Sequence, residues 1–139
     1  MDLLDYTGKL NRHADYLYAV KLLEAKCDRI EYVLVDEDDT ELIEQFQDSI
    51  ISVKVQNKWW GTKSCGGSKV YTISASKELF RYLRRFETFC KCVTSDFGDN
   101  AVETDFGIND IAFFDKNELP LLFTTTHEGY ITVRSDLFS

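Results

Sequence analysis

Residues 110–134, DIAFFDKNELPLLFTTTHEGYITVR, contain the pattern that decides the fold class. Runs rich in β-branched and aromatic residues alternate here with short polar segments, which is typical of strands joined by turns. Asp115-Lys116-Asn117-Glu118 suits the first turn, and Gly129 provides the positive φ that the second turn needs. The stretch therefore predicts a three-stranded antiparallel meander, with strands at 110–114, 121–126 and 130–134.

Outward from the meander, the rest of the chain adds both helices and strands. Apolar residues at helical spacing predict helices over residues 10–27, 40–48 and 74–89, the last capped by Ser74 or Ser76. Alternating or β-branched runs predict strands over 29–35, 50–55 and 69–73, and in the second of these Ile51, Val53 and Val55 share one face. The two polar segments at 57–68 and 92–107 are expected to be loops. We predict a single α+β domain over residues 1–139, with about three helices and a mixed or antiparallel sheet of five to six strands.

Composition limits the class of protein. The chain has 139 residues, of which 44% are hydrophobic, so it is long enough to bury an ordinary core. The N-terminus is acidic and mixed, and no apolar run reaches the length of a spanning helix, so we expect a cytoplasmic protein without a membrane partner. The four cysteines are expected to be free thiols, since nothing in the sequence indicates export. Cys90 and Cys92 form a C-x-C pair without further ligands at a suitable spacing, so no metal and no cofactor is predicted.

The charges are segregated along the chain. The formal net charge is −8, yet residues 51–92 carry nine Lys and Arg against two Asp and Glu. The strongest acidic focus consists of Asp36, Glu37, Asp38, Asp39, Glu41 and Glu44. These carboxylates suit a solvated helix start, where the helix dipole favours them. They also suit a surface that docks on a basic partner, with Trp59 and Trp60 as aromatic anchors.

The basic focus lies on the third predicted helix. Lys77, Arg81, Arg84 and Arg85 follow helical spacing on one face. This face suits either the polar side of an amphipathic helix or a phosphate-bearing ligand. The overall charge of −8 disfavours a general nucleic-acid binder.

Residues that could perform catalysis are few, and none forms a specific motif. Cys65 lies in a glycine-bearing loop near lysines, where positive charge would favour a thiolate. His127 and Glu128 sit at a predicted hairpin tip, but Tyr130 and Ile131 exclude the zinc-protease pattern H-E-x-x-H. No catalytic residue is therefore assigned. A small enzyme or phosphate-ligand domain using Cys65, His127 and the basic helix 76–89 remains an alternative.

The C-terminal strands carry a family resemblance. Residues 106–115, FGINDIAFFD, and 122–130, LFTTTHEGY, resemble the closing strands of small bacterial immunity proteins. These are the cytoplasmic antitoxins that accompany polymorphic or contact-dependent toxins. The resemblance covers about the last 30 residues together with size and acidity, and it transfers no functional residue. It implies a non-enzymatic protein that binds one toxin domain and blocks it.

The sequence thus favours a non-catalytic binding protein, in which the acidic focus covers the basic active site of one cognate protein. The enzyme is the first alternative. A regulator that mimics the charge of a nucleic acid is the second, and the basic middle third of the chain is an obstacle to it.

Overall fold

The protein is described by a computed structural model that covers residues 2–56, 68–94, 98, 100–104, 106–107 and 109–138. Helices and strands alternate irregularly in the first part of this chain, whereas strands dominate the last part. In chain order the elements are β1 (Leu3–Asp5), α1 (His13–Lys26), β2 (Arg29–Leu34), α2 (Glu41–Gln45), a 3₁₀ turn (Gln47–Ser49), β3 (Ile50–Gln56), β4 (Ser68–Ser74), α3 (Lys77–Leu83), β5 (Lys91–Thr94), β6 (Asn100–Glu103), β7 (Asp110–Phe114), β8 (Pro120–Thr125), a second 3₁₀ turn (Thr126–Glu128) and β9 (Tyr130–Arg134).

Seven of the described strands form one antiparallel sheet in the order β1-β9-β8-β7-β2-β4-β3, and β5 and β6 form a separate hairpin. The α+β class, the three helices and the C-terminal meander β7-β8-β9 are confirmed. The main sheet has more strands than the predicted five to six, because β1 adds to its edge. With three residues, β1 is too short to show alternation in the sequence. The hairpin β5-β6 corrects the expectation that residues 92–107 are mostly loop.

The helices cover one face of the sheet and form the main core with it. From α1 this core takes Tyr16, Ala19, Val20 and Leu23, and from α3 it takes Leu79, Phe80, Tyr82 and Leu83. A smaller cluster made only of strand residues is buried on the other face: Val33, Val70, Ala112, Phe114 and Phe123. Strands β7 and β8 are consequently buried on both faces, which explains their continuous rather than alternating apolar runs.

The helices are shorter than predicted. Helix α1 begins at His13 and ends at Lys26, whereas a helix over residues 10–27 was predicted. The segment predicted as a helix over 40–48 divides at Phe46 into α2 and a 3₁₀ turn. Helix α3 begins as predicted after Ser76, whose hydroxyl accepts a hydrogen bond from the amide of Leu79 at 3.1 Å, but it ends at Leu83.

A cluster of three charged residues ties the end of β9 to the turn between β7 and β8. The guanidinium of Arg134 donates to Asp115 at 2.6 Å and to Asp136 at 2.7 Å, and its side chain is 10% exposed. Burial would raise the pKa of Asp115, but hydrogen bonds from Arg134 and from the amides of Leu119 and Asn117 outweigh it, so this pKa lies below 3.8. The hydrogen bond from Arg134 also lowers the pKa of Asp136.

We expect Arg134→Ala to lower the free energy of unfolding at pH 7 by about 3 kcal/mol, because it leaves two carboxylates without their cation. Arg12→Ala is the control, since Arg12 pairs with Asp15 but is 81% exposed and should matter little. Because the folded-state pKa values of Asp115 and Asp136 are lowered, their contribution is present above pH 3.8 and is lost as the pH falls through the lowered values. Urea unfolding at pH 7 and pH 3 measures both effects. An equal loss in the two variants at pH 7 would contradict this account.

Candidate partner-binding surface

The acidic residues predicted from the sequence follow β2 and lead into α2. We call Asp36, Glu37, Asp38, Asp39 and Glu41, together with Glu44 of α2, the acidic loop. Glu37, Asp38, Glu41 and Glu44 are exposed, whereas Asp36 and Asp39 are partly buried. The six predicted residues are therefore brought together, but they divide into four on the surface and two that belong to the framework of the loop.

The side chain of Asn109, just before β7, fixes the conformation of this loop. It is fully buried, and its Oδ1 accepts hydrogen bonds from the amides of Val35 and Asp36, each at 2.8 Å. Its Nδ2 donates to the hydroxyl of Tyr32 at 3.0 Å and to the carbonyl of Asp39 at 3.1 Å. The carboxamide thus uses both donors and two acceptor sites, so the loop is held in place without help from a ligand.

Asp36 contributes a second constraint within the loop. Its Oδ1 accepts from the amide of Asp38 at 3.1 Å, and its carbonyl accepts from the amide of Asp39 at 3.1 Å. This is the local turn that aspartate side chains favour. At the start of α2, Thr40 Oγ1 donates to Glu44 Oε1 at 3.2 Å. Reversing the charge of Asp36 would therefore change the loop conformation as well as its charge.

The environment of Asp39 in the acidic loop disfavours its ionised form. Burial raises its pKa, and the neighbouring carboxylates of Asp36 and Glu41 raise it further. A Cβ placed on Gly107 would lie 3.3 Å from Asp39 Oδ2, so the backbone at Gly107, with φ +62°, fits closely against this carboxylate. On the neighbouring helix, burial raises the pKa of Tyr82 to about 12, and Glu41, which is hydrogen-bonded to it, raises it as well.

Exposed apolar side chains lie beside the acidic loop. Ile51, Val53 and Val55 of β3 are 60%, 49% and 68% exposed, and Val35 is 38% exposed. The shared face of Val53 and Val55 was predicted correctly, but the register shift between Ile50 and Ser52 takes Ile51 out of this alternation, and the valine face is open to solvent. The reason is that β3 is the last strand of the described sheet, with a register irregularity between Ile50 and Ser52.

A cavity of about 560 Å³ lies between the acidic loop and the exposed side chains of β3. Its walls come from the end of β2, the acidic loop and the strands β3 and β4, and include Leu34, Val35, Glu37, Val55, Lys69 and Tyr71. The exposed carboxylate of Glu37 and the exposed side chains of Val35 and Val55 therefore meet around this cavity.

Within the described ranges, the basic helix forms no direct ion pair with the acidic loop. Arg84 pairs with Glu24 of α1 at 2.6 Å, and the guanidinium carbon of Arg85 lies 5.3 Å from the centre of the Tyr82 ring. Lys77 and Arg81 are exposed. The basic face is thus partly used for contacts within the fold.

The other predicted site residues lie wholly or partly outside the described structure. Trp59, Trp60 and Cys65 lie outside the described residues. His127 belongs to the second 3₁₀ turn, but its side chain is not described. Gly129 ends this turn and has the predicted positive φ, at +76°. Cys27 is partly buried and Cys90 is buried, and burial raises the pKa of Cys27 to about 12, so its thiol is protonated at neutral pH.

Two further properties concern the described part of the chain only. Within it, no three His, Cys, Asp or Glu side chains are grouped as metal ligands would be. None of its helices combines the length and the apolar character needed to cross a membrane.

Comparison with known proteins gives no match among family models, curated proteins or solved structures. The surface is therefore interpreted from its own geometry. Sequence reasoning found its carboxylates but missed Asn109 and the exposure of β3. The motif Gly107-Ile108-Asn109 carried only a weak signal, an amide next to a glycine at the start of a buried strand.

We expect Asn109→Ala to loosen the acidic loop, because it leaves the amides of Val35 and Asp36 and the hydroxyl of Tyr32 without this partner. Hydrogen exchange at the Val35 and Asp36 amides should accelerate about tenfold or more, and the free energy of unfolding should fall by about 2–4 kcal/mol. Asn117→Ala, at an exposed turn, is the matched control. Unchanged exchange at both amides in the Asn109 variant would show that the loop is held by other contacts.

Asp39→Asn should make the protein more stable at pH 7. The folded state raises the pKa of Asp39, so its stabilising contribution is present below pH 3.8 and is lost as the pH rises through the raised value. Asparagine avoids that loss, so the two proteins should have equal free energies of unfolding near pH 3 and should diverge at higher pH. Asp38→Asn makes the same chemical change at an exposed position and is the control. Lower stability of Asp39→Asn at pH 7 would assign the ionised carboxylate a stabilising role instead.

Proposed function

We propose that the protein is a non-catalytic inhibitor that binds one basic cognate protein, in the manner of an immunity protein that covers the active site of a toxin. The observation that carries this proposal is the contiguity of the acidic loop with exposed apolar residues: Glu37 lines one cavity together with Val35 and Val55, and Asn109 fixes the conformation of the loop. The family resemblance of the C-terminal strands to immunity proteins points in the same direction.

The physical properties of the surface suit this role. Clustered carboxylates attract a basic partner over a distance of about 10 Å at moderate salt and disfavour acidic proteins. The exposed valines supply apolar area that a partner can bury, which charge alone would not provide. Because the loop is already held by hydrogen bonds, binding costs little conformational entropy.

The alternatives draw less support from the described residues. The enzyme hypothesis depends on the side chains of Cys65 and His127, neither of which is described. Nucleic-acid mimicry would use the same carboxylates, but it gives no role to the apolar strip beside them. Competition by DNA for the captured partner separates mimicry from the proposed inhibition.

The test is affinity capture from a lysate of the native organism, with the adjacent gene product included, using variants that keep the framework of the loop. The double variant Glu37→Lys and Asp38→Lys changes two exposed carboxylates and leaves Asp36 and Asp39 intact. Asp2→Lys with Asp28→Lys is the matched control, because it changes the net charge equally at exposed positions elsewhere. We expect the wild type and the control to retain one basic protein at about 0.15 M salt, with at least tenfold less in the loop variant.

Function is then measured on the captured protein. Its activity, or its toxicity when expressed alone, should be suppressed by the wild-type chain and only weakly by the loop variant. Equal capture by the two double variants would reject the acidic loop as the binding surface. Capture without any loss of the partner's activity would reject inhibition.

A further inference from the structure

Strand β3 forms one edge of the described sheet and has little of the protection that edge strands usually have. In the described part of the chain it pairs only with β4, so alternate backbone amides and carbonyls along its outer side have no strand partner there. Edge strands are commonly protected by charged residues, proline or short length. Over its seven residues β3 carries one charged residue, Lys54, and its other edge protection is the register irregularity between Ile50 and Ser52.

The opposite edge of the sheet differs in length. Strand β1 has three residues, and Leu3 and Leu4 are 45% and 46% exposed. Three residues offer too few hydrogen bonds for a stable added strand. Strand β3 is long enough, and its valines would lie next to side chains of a neighbouring strand at about 5 Å.

The direction of the valines connects this edge to the acidic loop. Val53 is paired in register with Tyr71 and Val55 with Lys69, while Lys69 is paired with Leu34 on its other side. Residues paired in this way share one face of a sheet. The exposed valines therefore face the same side as Leu34 and Tyr71, which line the cavity together with Glu37.

From this juxtaposition we propose that β3 receives an extended segment of the partner protein as an additional antiparallel strand, and that this segment carries lysine or arginine side chains toward the acidic loop. The added strand takes its affinity from main-chain hydrogen bonds and its specificity from alternate side chains. Its apolar residues cover Val53 and Val55, and its cationic residues reach Glu37 and Asp38. The inference rests on the proposed function, because it specifies how the same surface holds its partner.

A second copy of the chain is a poorer occupant. Each copy has a formal net charge of −8. In an antiparallel pair of β3 strands, the Val55 end of one copy, next to its acidic loop, would meet the Ile50 end of the other. That end lies two residues after the exposed Asp48, so acidic residues would lie near each other. Charge complementarity thus favours a basic segment over self-pairing.

The first arm of the test uses a defined probe on the full chain. A short capped peptide is added that begins with two lysines, to lie beside Val55 and the acidic loop, and continues with alternating valine and threonine; amide hydrogen exchange is followed residue by residue by NMR. We expect protection of alternate β3 amides, with binding about tenfold weaker when the two lysines are replaced by glutamates. Val53→Lys should abolish the protection, whereas Leu4→Lys on the opposite edge should preserve it; both positions are exposed, so both variants should fold.

The second arm separates this inference from the proposed function. If Glu37→Lys with Asp38→Lys prevents capture of the basic partner but Val53→Lys does not, the inhibitor proposal survives and strand addition is overturned. If neither variant affects capture, both are overturned. A dimer of the wild-type chain in sedimentation, lost in Val53→Lys, would assign the edge to a second copy. Protection of β3 by the lysine peptide together with loss of partner capture in Val53→Lys supports the inference.

Discussion

The carboxamide of Asn109 holds the end of β2 and the acidic loop through four hydrogen bonds, and the candidate surface depends on it. Its partners are the amides of Val35 and Asp36, the hydroxyl of Tyr32 and the carbonyl of Asp39. A chain segment with this many carboxylates would otherwise favour conformations that separate the charges. The carboxamide of Asn109 is uncharged and fixes the loop without bonding to a carboxylate. The exposed carboxylates therefore remain in contact with solvent.

This arrangement carries an electrostatic cost within the fold. Burial raises the pKa of Asp39, and the proximity of Asp36 and Glu41 raises it further. Asp115 and Asp136 behave in the opposite way, since Arg134 lowers the pKa of both. Among the described residues, Arg134 thus compensates one group of carboxylates, while no ion pair compensates the acidic loop. Under the proposed function, a basic partner would supply that compensation.

Local signals predicted the parts of the fold that depend on local physics. The meander was predictable because its turns are encoded in adjacent residues, including Asp115 and Gly129. The burial of Tyr16 on α1 could not be predicted from local spacing, because its hydroxyl donates to the carbonyl of Leu83, far away in sequence. Asn109 escaped detection for the same reason, since its partners lie in a distant segment. The acidic residues were found from composition, but their division into exposed and framework residues required the three-dimensional arrangement.

The pairing of β1 with β9 links the two ends of the described chain. Leu3 lies opposite Arg134, and the amide of Ser135 donates to the carbonyl of Asp2 at 2.8 Å. During synthesis on the ribosome β1 emerges before the other described strands, whereas its partner in the described sheet, β9, emerges after them. The N-terminal segment must therefore wait in an unpaired state until almost all of the described chain has been made. Closing this edge has a high contact order, so we expect it to form late in folding, after the meander that supplies β9.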